Sequence, residues 1–133
     1  MYLEKTNSVT LFTALVAGLV YGGWAVYANF EYSSRTWEMA GIVQGVYAFF
    51  STLSITHVAR AVHIKYGSNV RSLVAGFVMS FTIMLCIPLA IHHIVGTRDI
   101  WQTILPGLVW GNMYLLGVCY HLHIKSIQLR KKT

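Results

Sequence analysis

The sequence predicts an all-α membrane protein, four transmembrane helices in an antiparallel bundle forming one domain over 1–133, and three observations lead there. Of 133 residues, 56% are hydrophobic and only 11% charged, whereas soluble domains carry about 25% charged residues. Four apolar stretches, 8–29, 38–59, 70–95 and 104–124, each approach the ~20 residues a helix needs to cross ~30 Å of hydrocarbon. The connections between them are short, which makes successive helices antiparallel neighbours. Any function must therefore use the helices, three brief loops or the tails.

The first stretch reads as a retained helix. Its apolar core exceeds the 7 to 15 residues usual for a secretory signal, and Tyr27, Asn29 and Phe30 follow it where a small-residue cleavage site would stand. Ala14, Gly18, Gly22 and Ala25 recur at helical spacing, and small residues so spaced let helix backbones approach closely in lipid.

The second stretch opens after EYSSRT, with helix-start chemistry at Thr36 followed by Glu38. At ~100° per residue, Gly41, Gly45, Ala48, Thr52, Thr56, Ala59, Arg60 and His63 share one stripe, mostly small, which reads as a helix interface. Gln44 and Ser51, a heptad apart, face an adjacent side. A primary amide in hydrocarbon needs a partner, and the expected ones are Asn112 or Asn29. Gln44, Ser51, Asn112 and Arg60 are thus the candidates for a substrate path or for polar bonds between helices.

In the third stretch Ser68 or Asn69 offers the cap, and Pro88 removes the hydrogen bond to the Met84 carbonyl, so a kink is expected there. Neighbouring helices can satisfy such a freed carbonyl. His92 and His93 lie toward the same end as Glu31, Glu38 and Asp99, but adjacent histidines diverge by ~100° around a helix and cannot readily share a metal. No metal site is expected. In the fourth stretch Asp99 with Gln102 resembles a capping box, and Pro106 is expected at the first position of the spanning helix. Gly107 and Gly111 form its close-packing face. Cys86 and Cys119 both read as small buried hydrophobes.

The net charge of +6 does not point to nucleic acid, because the basic residues flank apolar segments and form no continuous stripe. They act as topology signals. Lys5, Arg60, Lys65, Arg71, Lys125, Arg130, Lys131 and Lys132 lie on one side and only Arg35 and Arg98 on the other, which puts both termini in the cytoplasm. Trp24, Tyr27, Phe30, Tyr32, Trp37 and Trp101 gather at the opposite boundary, where amphipathic rings prefer to sit. Arg60, His63, Lys65, Arg71 and Lys125 would form a basic inner rim suited to anionic lipid or phosphate.

Motifs for nucleophilic catalysis, phosphate loops and paired catalytic carboxylates are missing, so an enzyme is not the expectation. His57 and His121 stand at similar depth on different helices but on unmatched stripes, and no haem-attachment motif occurs. A haem-linked electron-transfer subunit is the third-ranked class, and no cofactor is expected. Length and span count are similar to three groups of small membrane proteins. FSTLS at 50–54 faintly resembles the Phe-Ser-Thr-Phe element of fluoride channels without its flanking pattern. Small multidrug exporters use an acidic residue in their first helix, and 8–29 has none. A four-span family associated with moving lipid-linked sugars shares only the plan. No family is assigned. The leading expectation is a bacterial-type inner-membrane protein that transports or translocates an amphipathic or lipid-linked substrate. The next is a non-catalytic accessory subunit. Expected partners are membrane lipids and a second copy or another membrane protein.

Overall fold

The computed structural model describes residues 2–66 and 70–130, with side chains from Thr10 onward except at 56, 59, 60, 62–64, 66, 72, 122, 125, 126, 129 and 130. It is all-helical. Four helices follow one another: α1 (Tyr2–Asn29), α2 (Ser34–Tyr66), α3 (Val70–Val95) and α4 (Ile100–Arg130). Three contain segments long and apolar enough to cross a membrane, Thr10–Asn29, Leu73–Val95 and Ile100–His121. Helix α2, at 33 residues, is long enough but more polar, and it is not among them.

Several helix ends differ from the sequence reading. Helix α2 starts at Ser34, capped by Ser33: the Thr36 and Trp37 amides donate to the Ser33 carbonyl at 2.8 and 3.3 Å, and the Ser33 and Thr36 hydroxyls lie 2.9 Å apart. Thr36 supports the cap instead of providing it. Helix α4 begins at Ile100, directly after Asp99, and Pro106 sits inside it. Its first turn needs no separate segment, because a neighbouring helix satisfies the carbonyl that the proline frees, as described below. The proposed caps Ser68 and Asn69 lie outside the described residues.

Facing residues show how the helices meet. Gly18 lies against Gly45 and Gly22 against Gly41, so residue numbers rise along α1 as they fall along α2. Gln44 meets His92 and Tyr47 meets Met84 between α2 and α3. Trp24 meets Gln102 and Asn29 meets Thr103 between α1 and α4. Helix α2 also contacts α4, whereas α1 does not contact α3 among the described residues.

The α1–α2 contact is a backbone-to-backbone seam. A Cβ placed on Gly18 or Gly45 would stand 3.0 Å from the other's carbonyl oxygen, and one on Gly22 would stand 3.0 Å from that of Gly41. Only glycine permits that approach. Much of what lies inside is small or polar, Ala14, Ala25, Ala40 and Ala48 with Asn29, Gln44, Ser80, His92, Thr97 and Thr103, beside the larger Ile104. The only compact apolar cluster among the described buried residues joins Ile55, Met84, Leu115 and Cys119. Many large apolar side chains point outward, Leu19 at 78% exposure and Phe12 at 69%. Water would penalise this distribution severely, whereas lipid tails match it.

Candidate functional site

Two prolines inside helices leave carbonyls without their usual donors, and both are answered by an aromatic side chain from a neighbour. Pro88 frees the Met84 carbonyl, and the Tyr47 hydroxyl of α2 donates to it at 3.2 Å. Pro106 frees the Gln102 carbonyl, and the Trp24 indole N–H of α1 donates to it at 2.7 Å. Each unsatisfied carbonyl in hydrocarbon would cost several kcal/mol. The prolines therefore tie α3 to α2 and α4 to α1.

At the same end, a polar cluster locks the loops. Asn29 Nδ2 donates to the Ala25 carbonyl at 2.9 Å and to Thr103 Oγ1 at 2.8 Å, and Asn29 Oδ1 accepts from the Asp99 amide at 3.3 Å. Thr103 Oγ1 donates to the Asp99 carbonyl at 2.7 Å. In the loop region the Tyr32 hydroxyl donates to Asp99 Oδ2 at 2.9 Å. That hydrogen bond, with the Asp99 charge, raises the Tyr32 phenol above its usual value of 10. Phe30 pairs with Trp37 and Trp24 with Tyr27 at ring separations of 5.8 and 5.6 Å, so the aromatics do collect here.

One turn deeper, Gln44 and His92 meet. Both are fully or almost fully buried, at 2% and 0% exposure. His92 Nε2 lies 2.9 Å from Gln44 Oε1, and His92 Nδ1 lies 2.8 Å from Thr97 Oγ1. The chain reaches Thr97 through Gly96, whose φ of 79° only glycine adopts freely. Gly96 and Thr97 amides both donate to the His92 carbonyl, at 3.1 and 3.0 Å, which ends α3 and folds Thr97 back over the ring.

Below Gln44, a cavity of about 280 Å³ opens between α1, α2 and α4, with Met84 and Pro88 of α3 as its back wall. It extends along α2 from Gln44 to Ile55, about 16 Å at ~1.5 Å per residue. Its volume is close to the lower end of the ~300–1,000 Å³ usual for small-molecule sites. Val16, Val20, Leu108 and Trp110 give it apolar sides, while Gln44, Ser51, Thr52 and Tyr47 form a polar edge. A second groove on the α1–α4 face, bordered by Trp24, Leu105 and Pro106, shares Val20, Tyr21 and Trp110 with it. Val20 and Trp110, both exposed, thus belong to the cavity wall and to the outer α1–α4 face alike.

The candidates from the sequence separate accordingly. Gln44 and Ser51 both border the cavity, as does Gly107. Gln44 bonds neither Asn112 nor Asn29. The expectation is corrected to His92, because Asn112 turns back to its own Leu108 carbonyl and Asn29 is engaged by Thr103. The Asn112 Oδ1 is buried without a partner. Ser51 and Thr52 hydroxyls donate to the Ala48 carbonyl of their own helix. Gly111 also borders the cavity and packs on the Met84 methyl group. Of the basic rim, Lys65 and Arg71 are exposed, whereas the side chains of Arg60, His63 and Lys125 lie outside the described set. Cys119 is buried, but Cys86 is exposed, so the expectation of two buried thiols holds for only one. His57 and His121 are both exposed, and no three metal-ligating residues cluster among the described residues.

No protein-family model, curated protein or solved structure matches this chain. The site must be read from its own chemistry. Sequence reasoning missed His92 as the partner of Gln44, and it missed Thr97 and Tyr47 altogether. Gly96 held a signal for Thr97, since glycine directly after an apolar helix marks a terminus that turns the chain back. Pro88 held one for Tyr47, since a freed carbonyl calls for a donor of suitable length.

Proposed function

We propose that this chain is a small multi-pass membrane protein that takes an amphipathic or lipid-linked molecule into the cavity between α1, α2 and α4 and helps it across the bilayer. The observation that carries this reading is the cavity itself. It has apolar sides, a polar edge on α2 at Gln44, Tyr47, Ser51 and Thr52, and wall residues Val20, Tyr21 and Trp110 that it shares with the α1–α4 groove. Apolar walls with a few placed polar groups are what a small-molecule site requires. Polar residues inside a membrane bundle most often mark such sites or hold helices together, and Gln44 does both.

In this reading all four helices span an inner membrane of bacterial type in antiparallel order, with both termini cytoplasmic, as the distribution of Lys and Arg favours. The orientation is checked with a membrane-impermeant maleimide on cells carrying single cysteines in a Cys86→Ser, Cys119→Ser background. Ser33→Cys and Arg98→Cys, both at exposed positions, should label from outside and a cysteine appended to the C-terminus should not. The reverse pattern overturns the orientation.

Function is tested in sealed vesicles of phosphatidylethanolamine and phosphatidylglycerol that hold a fluorescent, dithionite-quenchable lipid. The protein should speed exposure of inner-leaflet probe to dithionite. Ala17→Phe, which fills the cavity from α1, should return the rate to that of empty vesicles. A rate indifferent to Ala17→Phe defeats the proposal.

A further inference from the structure

Only one half of the Gln44 amide is occupied by protein. Its Oε1 receives His92 Nε2 at 2.9 Å. A carboxamide oxygen has no hydrogen to give, so the shared hydrogen belongs to His92 Nε2 whether or not the ring is charged. Thr97 Oγ1 at 2.8 Å from Nδ1 fixes the ring from its other side. In this arrangement the amide Nε2 lies on the opposite branch. That nitrogen has no hydrogen-bond partner among the described residues. It faces Gly107 of the cavity wall, where an added Cβ would stand 3.4 Å from it. A donor that meets no acceptor in a mostly apolar cavity is unfavourable by about 1–3 kcal/mol, so an occupant that supplied an acceptor would recover that cost.

We propose that the cavity takes an uncharged, mostly apolar molecule bearing a carbonyl oxygen, which accepts from Gln44 Nε2 in the space that Gly107 leaves open. This rests on the reading of the cavity as the binding site. No Asp, Glu, Lys or Arg borders the cavity, and a charged group placed there would lose its hydration without compensation. A carbonyl brings an acceptor and no hydrogen of its own to satisfy. The glycine belongs to the site for the same reason, because any side chain at 107 would stand between the amide and the occupant. Entry is sideways, through the α1–α4 groove past Val20, Tyr21 and Trp110. An acyl ester of a membrane lipid and a quinone both carry this chemistry.

The test is photolabelling of the full chain in mild detergent with three probes of equal chain length, each with a diazirine in the tail: a methyl ester, a benzoquinone and a plain alkane. Peptide mapping reads the label on the cavity walls. The ester or the quinone should exceed the alkane about three- to tenfold, the factor that one net hydrogen bond supplies, and the preferred one identifies the source. Gln44→Leu and Gly107→Ala should each bring that ratio to one while alkane labelling persists. If Gln44→Leu does not fold, Gly107→Ala alone decides. Equal labelling by all three probes in the native chain, or a ratio that survives Gly107→Ala, overturns the carbonyl assignment alone. Absence of label from the cavity with every probe overturns this proposal and the cavity reading together.

Discussion

At the scale of single residues, the two intrahelical prolines show how a bundle with few interior apolar side chains holds its geometry. Each removes one helical hydrogen bond and so exposes a carbonyl that a neighbouring helix can answer with an aromatic donor, Tyr47 for Met84 and Trp24 for Gln102. Tyr47→Phe leaves the Met84 carbonyl unmet. Pro88→Ala restores an N–H to the same carbonyl from within α3. The two substitutions should therefore be non-additive: Tyr47→Phe should cost about 1 kcal/mol in the native background and close to nothing after Pro88→Ala. A double-mutant cycle on reversible unfolding in mixed micelles measures this, and equal costs in both backgrounds contradict it. The proline's demand was legible in the sequence, but the donor was not. An i−4 carbonyl is fixed by counting, whereas which aromatic reaches it depends on the rotation of the neighbouring helix.

At the scale of elements, the contact between α1 and α2 was the most legible part of the fold. Gly18 and Gly22 on one helix and Gly41 and Gly45 on the other sit four apart, and period alone places each pair on one face. In the structure the two pairs face each other within the chain. These four glycines are therefore used within the chain. Gly23, on the same helix, has nothing within 4 Å of an added Cβ. Gly45→Ala should cost about 1–3 kcal/mol through overpacking, while Gly23→Ala should cost nothing and gain up to ~1 kcal/mol from helix propensity. Unfolding in sodium dodecyl sulfate followed by circular dichroism separates them, and equal effects at 23 and 45 refute the seam. The start of α2 was less legible, because Ser33 and Thr36 are both competent caps and their hydroxyls bond each other across the first turn. Pro106 misled for a related reason. A proline at a helix start and one deep in a helix look alike in sequence, and the Trp24 indole that makes the second arrangement tolerable belongs to another helix.

At the scale of the whole molecule, composition alone announced an inside-out protein. The structure gives that a form, with alanine, glycine and polar groups such as Asn29, Gln44 and His92 within and most of the large apolar side chains of α1, among them Leu11, Phe12 and Leu19, without. The cavity could not be read from the sequence, because it is a gap between helices that Trp24 and Asn29 hold together at one end, lined from α1, α2, α3 and α4. A void has no residue of its own. Gln44 and Ser51 hinted at it, as polar residues a heptad apart on a face that the small-residue stripe did not use. On this reading the void holds an apolar molecule. The most direct measurement is native mass spectrometry of the full chain released from mild detergent, beside Ala17→Phe purified in parallel. The native chain should carry a small copurifying molecule, retained at low activation energy, that Ala17→Phe lacks. If the two spectra show the same adducts, or if the native chain retains only a partner polypeptide, the cavity is not a binding site and the accessory-subunit reading takes its place.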